Sequence, residues 1–118
     1  MVKNINMLLI TEASQYTPSG IFFTTSVKNN IIEKGLFTRI LYSTAIYTTN
    51  GLYLKDFTRA QLKRVEQDIL SAYRSPKVRS TTLAVLPQGF WSGKVLTVSG
   101  IWETNTSYGL AYKFIRVV

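Results

Sequence analysis

The clearest hydrophobic pattern in the chain begins after residue 57, where apolar residues recur at steps of three and four. This spacing is typical of an amphipathic α-helix whose apolar stripe faces a core. The stripe comprises Leu62, Val65, Ile69, Ala72 and Tyr73. Thr58 and Gln61 form a capping box that marks the start of this helix, and Phe57 adds a hydrophobic staple with Leu62. Pro76 ends it, because the residue before a proline avoids the helical conformation.

Three strand-like segments follow the helix, at residues 78–86, 94–103 and 109–118. The first is rich in β-branched residues, and the other two alternate between apolar and polar positions. Short connections between consecutive strands favour an antiparallel meander. The sequence therefore predicts an α+β fold in which one main amphipathic helix packs on a three-stranded antiparallel meander.

The N-terminal part predicts an extended or helical region. Residues 1–25 are expected to form an extended arm, with an apolar run at 5–11, a turn at Thr17-Pro18-Ser19-Gly20 and a short extended piece after it. Residues 26–34 are expected to form a helix capped by Ser26, although Gly35 interrupts the pattern that continues to Leu41. Asn50-Gly51 lies between two β-prone stretches and predicts a hairpin. Residues 1–118 are expected to form a single domain, with a core from residue 26 onward.

The composition restricts the chemistry more than it restricts the fold. Hydrophobic residues make up 46% of the chain, which is enough for one core, and there is no Cys and no His. Disulfides, thiol nucleophiles, Cys-ligated metals and a His general base are therefore excluded. No apolar run approaches the ~20 residues that a membrane span needs.

The six carboxylates do not form a recognisable catalytic pair. Glu66 and Asp68 are the closest two, but on a helix they project about 200° apart. A solvated helix surface is the expected place for both. The glycines match neither a P-loop nor a dinucleotide fingerprint. We therefore expect no catalytic residue, no cofactor and no metal, and a protein that binds other macromolecules instead of acting as an enzyme.

The formal net charge of +8 favours an acidic partner. One hypothesis is a small basic module that binds nucleic acid. Its candidate residues are Arg59, Lys63, Arg64, Phe90 and Trp91, and Trp102 is a further aromatic that could stack on bases. Trp91 has two interpretations, because a loop tryptophan either folds back to cap the sheet or stays exposed and anchors a partner protein.

The last strand suggests a different way of binding. It runs toward the end of the chain, so it is expected to lie at a sheet edge, where unpaired N–H and C=O groups can accept a strand from another molecule. The candidate pairing residues on this strand are Leu110, Tyr112, Phe114 and Arg116. The apolar run at residues 5–10 is a second candidate edge.

From about Ser26 onward the chain resembles the sheath-initiator family of contractile-tailed bacteriophages. Members of this family are small baseplate-wedge proteins with relatives in type VI secretion baseplates. The resemblance is carried by the segments TRAQLKRVEQDILSAYRSPKVRSTTLAV and GKVLTVSGIWETNTSYGLAYKF. The family usually has a Glu-Pro-Arg signature where the helix leaves for the next strand. Here Ser75-Pro76-Lys77 keeps the proline and a positive charge but lacks the acid.

The resemblance implies a structural virion protein of the tail baseplate, assembled in the host cytoplasm in multiple copies arranged as a ring. It implies that tail sheath subunits add a strand to its sheet, and that Pro76 and Lys77 contact wedge and tube proteins. Some members have been labelled lysozyme-like, but the spacing of the acids argues against muramidase activity in this chain. Another phage tail or head-completion protein is a third hypothesis with the same binding logic.

Overall fold

A computed structural model of the protein describes residues 10–29 and 35–116. Within these residues the chain forms nine β-strands and one α-helix. The elements are β1 (Thr11–Glu12), β2 (Ile21–Phe23), β3 (Val27–Asn29), β4 (Gly35–Ser43), β5 (Thr48–Asn50), β6 (Leu52–Lys55), α1 (Arg59–Tyr73), β7 (Val78–Ser80), β8 (Val95–Glu103) and β9 (Ser107–Ile115). Short 3-10 turns occupy Ala13–Gln15, Pro18–Gly20, Leu83–Val85 and Gln88–Phe90.

The predicted fold, a helix on a three-stranded antiparallel meander, is wrong. The nine strands form one mixed sheet, and six of them precede the helix. β8 lies at the centre, with β9 along one edge and both β4 and β6 along the other. β1 pairs with β6 and β7 pairs with β9 in parallel. The segment before the helix was underestimated, because β1, β2 and β6 pair with strands far away in sequence and because the local β3–β4 and β4–β5 pairs were not recognised.

The helix predicted over residues 26–34 is also wrong where the structure describes it. Residues 27–29 form β3, which pairs antiparallel with the start of β4, and residues 30–34 lie outside the described part. In β4 the buried residues Thr38, Ile40 and Tyr42 alternate with less buried ones. This period of two identifies a strand with one face on the core.

The structure has no hairpin at Asn50-Gly51; instead the two strands that meet there pair with two different strands, an arrangement that we call the fork. β4 pairs with β8 through residues 36–39 and with β5 through residues 41–43, so β4 and β8 diverge. The chain reverses at Gly51, and its two arms, β5 and β6, pair with β4 and β8 instead of with each other. Gly51 has a φ of +93°, which a glycine adopts without the steric cost of a Cβ.

Helix α1 begins as predicted. Thr58 Oγ1 accepts the Gln61 amide at 3.2 Å, and Gln61 Oε1 accepts the Thr58 amide at 2.8 Å, so the capping box is confirmed. The helix ends at Tyr73, and Arg74 follows in the left-handed conformation with its amide bonded to the Leu70 carbonyl. The buried face includes Leu70 and Glu66 in addition to the predicted apolar residues, while Ala72 is exposed.

The region after the helix follows the prediction in part. β8 and β9 form the expected antiparallel pair, but only Val78–Ser80 of the first predicted strand is extended. A bulge at Ser99 shifts the alternation in β8, so that Ile101 joins Leu96 and Val98 on the core face. The helix, the Leu83 turn and the core face of the sheet thus enclose one hydrophobic cluster.

Candidate functional site

The outer edge of β9 is open over most of its length. β8 pairs with β9 from residue 108 to residue 115, whereas β7 covers the opposite edge only at residues 107–109. No described strand pairs with that edge at residues 110–115. Six residues of a strand extend for about 20 Å. We call this segment the free edge.

The hydrogen bonds at the start of β9 show which backbone groups face outward. The Val78 amide donates to the Thr106 carbonyl on the β7 side, and the Thr104 amide donates to the Ser107 carbonyl on the β8 side. Backbone groups alternate in direction along a strand. The N–H and C=O groups of Leu110, Tyr112 and Phe114, three of the four residues that the sequence suggests for pairing, therefore point away from β8. The Leu110 carbonyl already accepts the Trp102 indole N–H at 3.1 Å, so the groups of Tyr112 and Phe114 are the ones open to a partner.

The side chains of these residues are used inside the protein. Leu110 is buried, and Tyr112 and Phe114 pack half-buried against the core. Tyr112 Oη lies 2.8 Å from Thr82 Oγ1, and the Phe114 ring lies 6.1 Å from the Phe57 ring. What this segment offers a partner is therefore its backbone. The fourth predicted residue, Arg116, is exposed just beyond β9.

Trp91 is not an exposed anchor. It is only 8% exposed, and its indole N–H donates to the Leu86 carbonyl at 3.4 Å. The Phe57 ring lies 5.7 Å away on one side, and the Arg59 guanidinium lies 5.8 Å from the indole. The loop thus folds back onto the core, which is the first of the two interpretations of this residue. Its neighbour Phe90 remains 58% exposed.

The turn at Ser75-Pro76-Lys77 is held to the sheet by Glu103. Lys77 Nζ lies 3.1 Å from Glu103 Oε2 and donates to the Thr104 carbonyl at 2.6 Å. Ser75 Oγ donates to Glu103 Oε2 at 3.3 Å. The positive charge at residue 77 is thus paired within the chain, by a carboxylate from β8, and Pro76 is the exposed residue of the turn.

Glu103 also ends a line of hydroxyl groups that crosses from β4 to the helix. Tyr73 Oη donates to Glu103 Oε1, and Thr38 Oγ1 lies 3.1 Å from Tyr73 Oη. Because the phenol proton goes to Glu103, Thr38 donates to Tyr73 and can itself accept from Ser26. Burial raises the pKa of Glu103, but the bonds from Tyr73 and Lys77, the Lys77 charge and the bond from Ser75 outweigh it, so this pKa lies below its usual value.

Glu66 is buried, which corrects the expectation that both central acids lie on a solvated surface. Its carboxylate accepts the amides of Thr82 and Leu83 at 3.0 and 3.2 Å, and so caps the 3-10 turn that follows. Asp68 lies 3.9 Å from Arg64 Nε. In the part of the chain that the structure describes, no three metal-ligating residues of the His, Cys, Asp and Glu types come together.

The cations of the nucleic-acid hypothesis do not surround an aromatic platform at Trp91. Arg59 donates to the Ala84 carbonyl at 2.6 Å and covers the indole, while Lys63 and Arg64 are exposed on the helix. Trp91 is buried, so Phe90 is the accessible aromatic of this loop, while Trp102 lies half-buried on β8.

A second accessible surface is the face of the sheet opposite the helix, which the sequence did not predict, although it suggested Trp102 as a residue that could stack on bases. Register pairs place Phe37 beside Trp102, and Trp102 beside Gly109. The glycines at 100 and 109 were a signal for this arrangement, because strand glycines often lie under aromatic rings. Without the register of β4 against β8, the sequence could not show which rings cover them.

Within residues 10–29 and 35–116, no helix combines the length and apolar character required to cross a membrane. Comparisons of the chain with protein-family models, with curated proteins and with solved structures find no match.

Proposed function

We propose that this protein is a structural assembly protein that binds its partner by accepting a β-strand at the free edge of β9. The observation that carries the proposal is the pair of residues Tyr112 and Phe114, whose outward backbone groups lie beyond the end of β7 and pair with no described strand. Backbone pairing needs no catalytic group, which agrees with the internal roles of Glu66 and Glu103.

The family resemblance suggests the partner. A sheath-initiator-like protein would sit in the virion tail baseplate, in a ring of copies, and offer its free edge to a tail sheath subunit. The exposed turn at Pro76 is then the contact for wedge or tube proteins, with Lys77 acting indirectly because its charge is paired to Glu103. The free edge supports strand addition by some partner. The family resemblance is what suggests that the added strand comes from a sheath subunit.

Lys113 favours a particular kind of partner strand. It is exposed in the middle of the free edge, and a lysine on an edge strand discourages pairing with identical or uncharged strands. An acidic residue opposite Lys113 would turn this penalty into a favourable cross-strand pair. We therefore expect the added strand to carry an acid at that register position.

The test uses a sheath subunit encoded in the same genome and a matched pair of variants, Phe114→Ala and Phe114→Pro. Both variants remove the phenyl ring, but only proline removes the outward N–H, and proline is tolerated at a sheet edge. We expect the alanine variant to retain sheath binding and the proline variant to lose it, at comparable thermal stability.

Residue-resolved hydrogen exchange provides the second measurement. The amides of Tyr112 and Phe114 should exchange quickly in the free protein and slowly in the complex. The neighbouring amides of Ala111 and Lys113, which face β8, should be protected in both states. Equal binding by the two variants, or protection that ignores this alternation, would refute strand addition at β9.

A further inference from the structure

The face of the sheet opposite the helix carries a continuous row of apolar and aromatic side chains. Val27, Phe37 and Trp102 are successive register partners across β3, β4 and β8, and Gly109 of β9 completes the row. Partners in register point to the same side of a sheet. We call this surface the outer face. Val27 is exposed, and Phe37 and Trp102 are half-buried.

The aromatic rings of Phe37 and Trp102 lie directly over the backbone of two glycines. A Cβ added at Gly100 would stand 2.8 Å from Phe37 Cζ, and one added at Gly109 would stand 2.7 Å from Trp102 Cζ2. The rings therefore occupy the space above the backbone of the next strand. The Trp102 indole N–H donates to the Leu110 carbonyl at 3.1 Å, which fixes this orientation. Each ring has one side on the sheet and keeps an accessible part toward solvent.

Cations flank this row, and acids do not. The Arg39 guanidinium lies 6.0 Å from the centre of the Phe37 ring, and Lys113 lies on the same face of β9. Both side chains are exposed. The described residues of the outer face in β3, β4, β8 and β9 include no Asp or Glu, because Glu103 points to the core side and pairs with Lys77.

We infer that the outer face binds single-stranded nucleic acid. Proteins that bind single strands combine aromatic rings, on which bases stack, with cations that follow the phosphates. Phe37 and Trp102 lie on adjacent strands, about 5 Å apart in the sheet, a spacing that successive unstacked bases of one strand can span. Duplex DNA hides its bases, so it cannot use the rings. This site differs from the helix-and-loop set suggested by the sequence, in which Trp91 is buried.

The experiment measures binding of fluorescent dT12 and U12 by anisotropy, with a 12-base-pair duplex and anionic phosphatidylglycerol vesicles as alternative ligands. We expect a single strand to bind more tightly than either alternative and to quench Trp102 fluorescence. Phe37→Leu, which keeps an apolar side chain but removes the ring, should weaken binding by about tenfold, since stacking on one aromatic side chain is worth that much or more.

The control variants compare two pairs of exposed cations. Arg39→Ala/Lys113→Ala and Lys63→Ala/Arg64→Ala each lower the net charge by two, but only the first pair belongs to the outer face. We expect the first double variant to lose affinity by about tenfold or more, and to reduce the slope of log affinity against log salt by about 1.4, for two lost phosphate contacts. The helix pair should leave both quantities nearly unchanged.

Three results would overturn the inference: no binding of either single strand, equal losses for the two double variants, or tighter binding to vesicles or duplex than to single strands. The four substituted cations are exposed, so both double variants should fold, and circular dichroism checks this for them and for Phe37→Leu. Sheath binding by the Phe114 variants is measured separately, so failure of one idea leaves the other standing.

Discussion

Replacing Glu66 with Gln tests whether the buried carboxylate holds the helix to the turn that follows it. Glu66 is only 2% exposed, and its two oxygens accept the amides of Thr82 and Leu83. Gln has nearly the same size, but one of its two terminal groups is an amide nitrogen, which donates hydrogen bonds and cannot accept them. In the Glu66→Gln protein the amide oxygen can take the position of Oε2, which accepts both backbone amides at 3.0 and 3.2 Å, so the bond from Leu83 to Oε1 is lost and the two remaining bonds lose their charge.

The magnitude follows from these two losses. A hydrogen bond to a charged group contributes about 1.5–3 kcal/mol, and one between neutral groups contributes about 0.5–1.5 kcal/mol. Losing the charge thus weakens each of the two remaining bonds by about 1–1.5 kcal/mol, so we expect the free energy of unfolding to fall by about 2–3 kcal/mol. For a domain of this size, that corresponds to a melting temperature lower by about 10 °C.

Urea denaturation followed by tryptophan fluorescence measures the change, with Asp68→Asn as the control. Asp68 lies on the same helix, and its substitution removes the same negative charge, but its partner Arg64 is largely exposed at 3.9 Å. Asp68 is 26% exposed, and an ion pair whose other partner is so exposed contributes little, so Asp68→Asn should change the free energy of unfolding by under about 1 kcal/mol. Equal effects of the two substitutions would show that net charge, and not the buried acceptor, controls stability.

Two further predictions concern Glu103 and Gly51. The pKa of Glu103 is lowered in the folded protein, so its contribution to stability is present above the unfolded value and is lost as the pH falls below 4.5 through the folded value. The stability difference between the wild type and Glu103→Gln, measured by urea titration, should therefore shrink between pH 6 and pH 3, and a constant difference would contradict the assignment. Gly51→Ala places a Cβ 2.9 Å from the Val98 carbonyl at a φ of +93°, so we expect a loss of about 1–3 kcal/mol from the backbone strain. Wild-type stability in this variant would show that the fork does not need a glycine.

The sequence predicted two features that depend on neighbouring residues, but it missed a third, the β4–β5 hairpin, in which Ser43 pairs with Thr48. The capping box joins residues three apart, and β8 and β9 are joined by the short turn at residues 104–106. In both cases the interacting groups are close in the chain, so the pattern of residue types was enough to identify them.

The sequence did not predict β4, for a geometric reason. The helical pattern proposed for residues 26–41 relied on positions such as Phe37 and Leu41, which are four residues apart. Residues four apart share a face in a helix and also in a strand, so this pair could not distinguish the two. The buried alternation of Thr38 and Ile40 could, but their pairing partners in β2 and β8 lie elsewhere in the sequence.

The sequence pattern alone was insufficient to define either proposed binding surface, for two different reasons. The free edge was expected from the position of the last strand, but its extent depends on β7, which stops pairing at Ser80. The outer face was missed because the bulge at Ser99 shifts the alternation in β8. Strict alternation along β8, which ignores the bulge, assigns Ile101 and Trp102 to the wrong faces of the sheet.

Trp102 connects the free edge with the outer face. Its ring lies over Gly109, and its indole N–H occupies the Leu110 carbonyl, one of the backbone groups that point to the free edge. A strand added at β9 would extend the outer face by one further row, because register partners share a face. It would also compete with the indole for the Leu110 carbonyl. Binding at the free edge should therefore change the affinity of the outer face for a single strand, and linkage requires the reciprocal change to be equal. Trp102→Phe removes the indole bond while keeping a ring. A coupling that persists unchanged in this variant would show that the indole bond does not link the two surfaces.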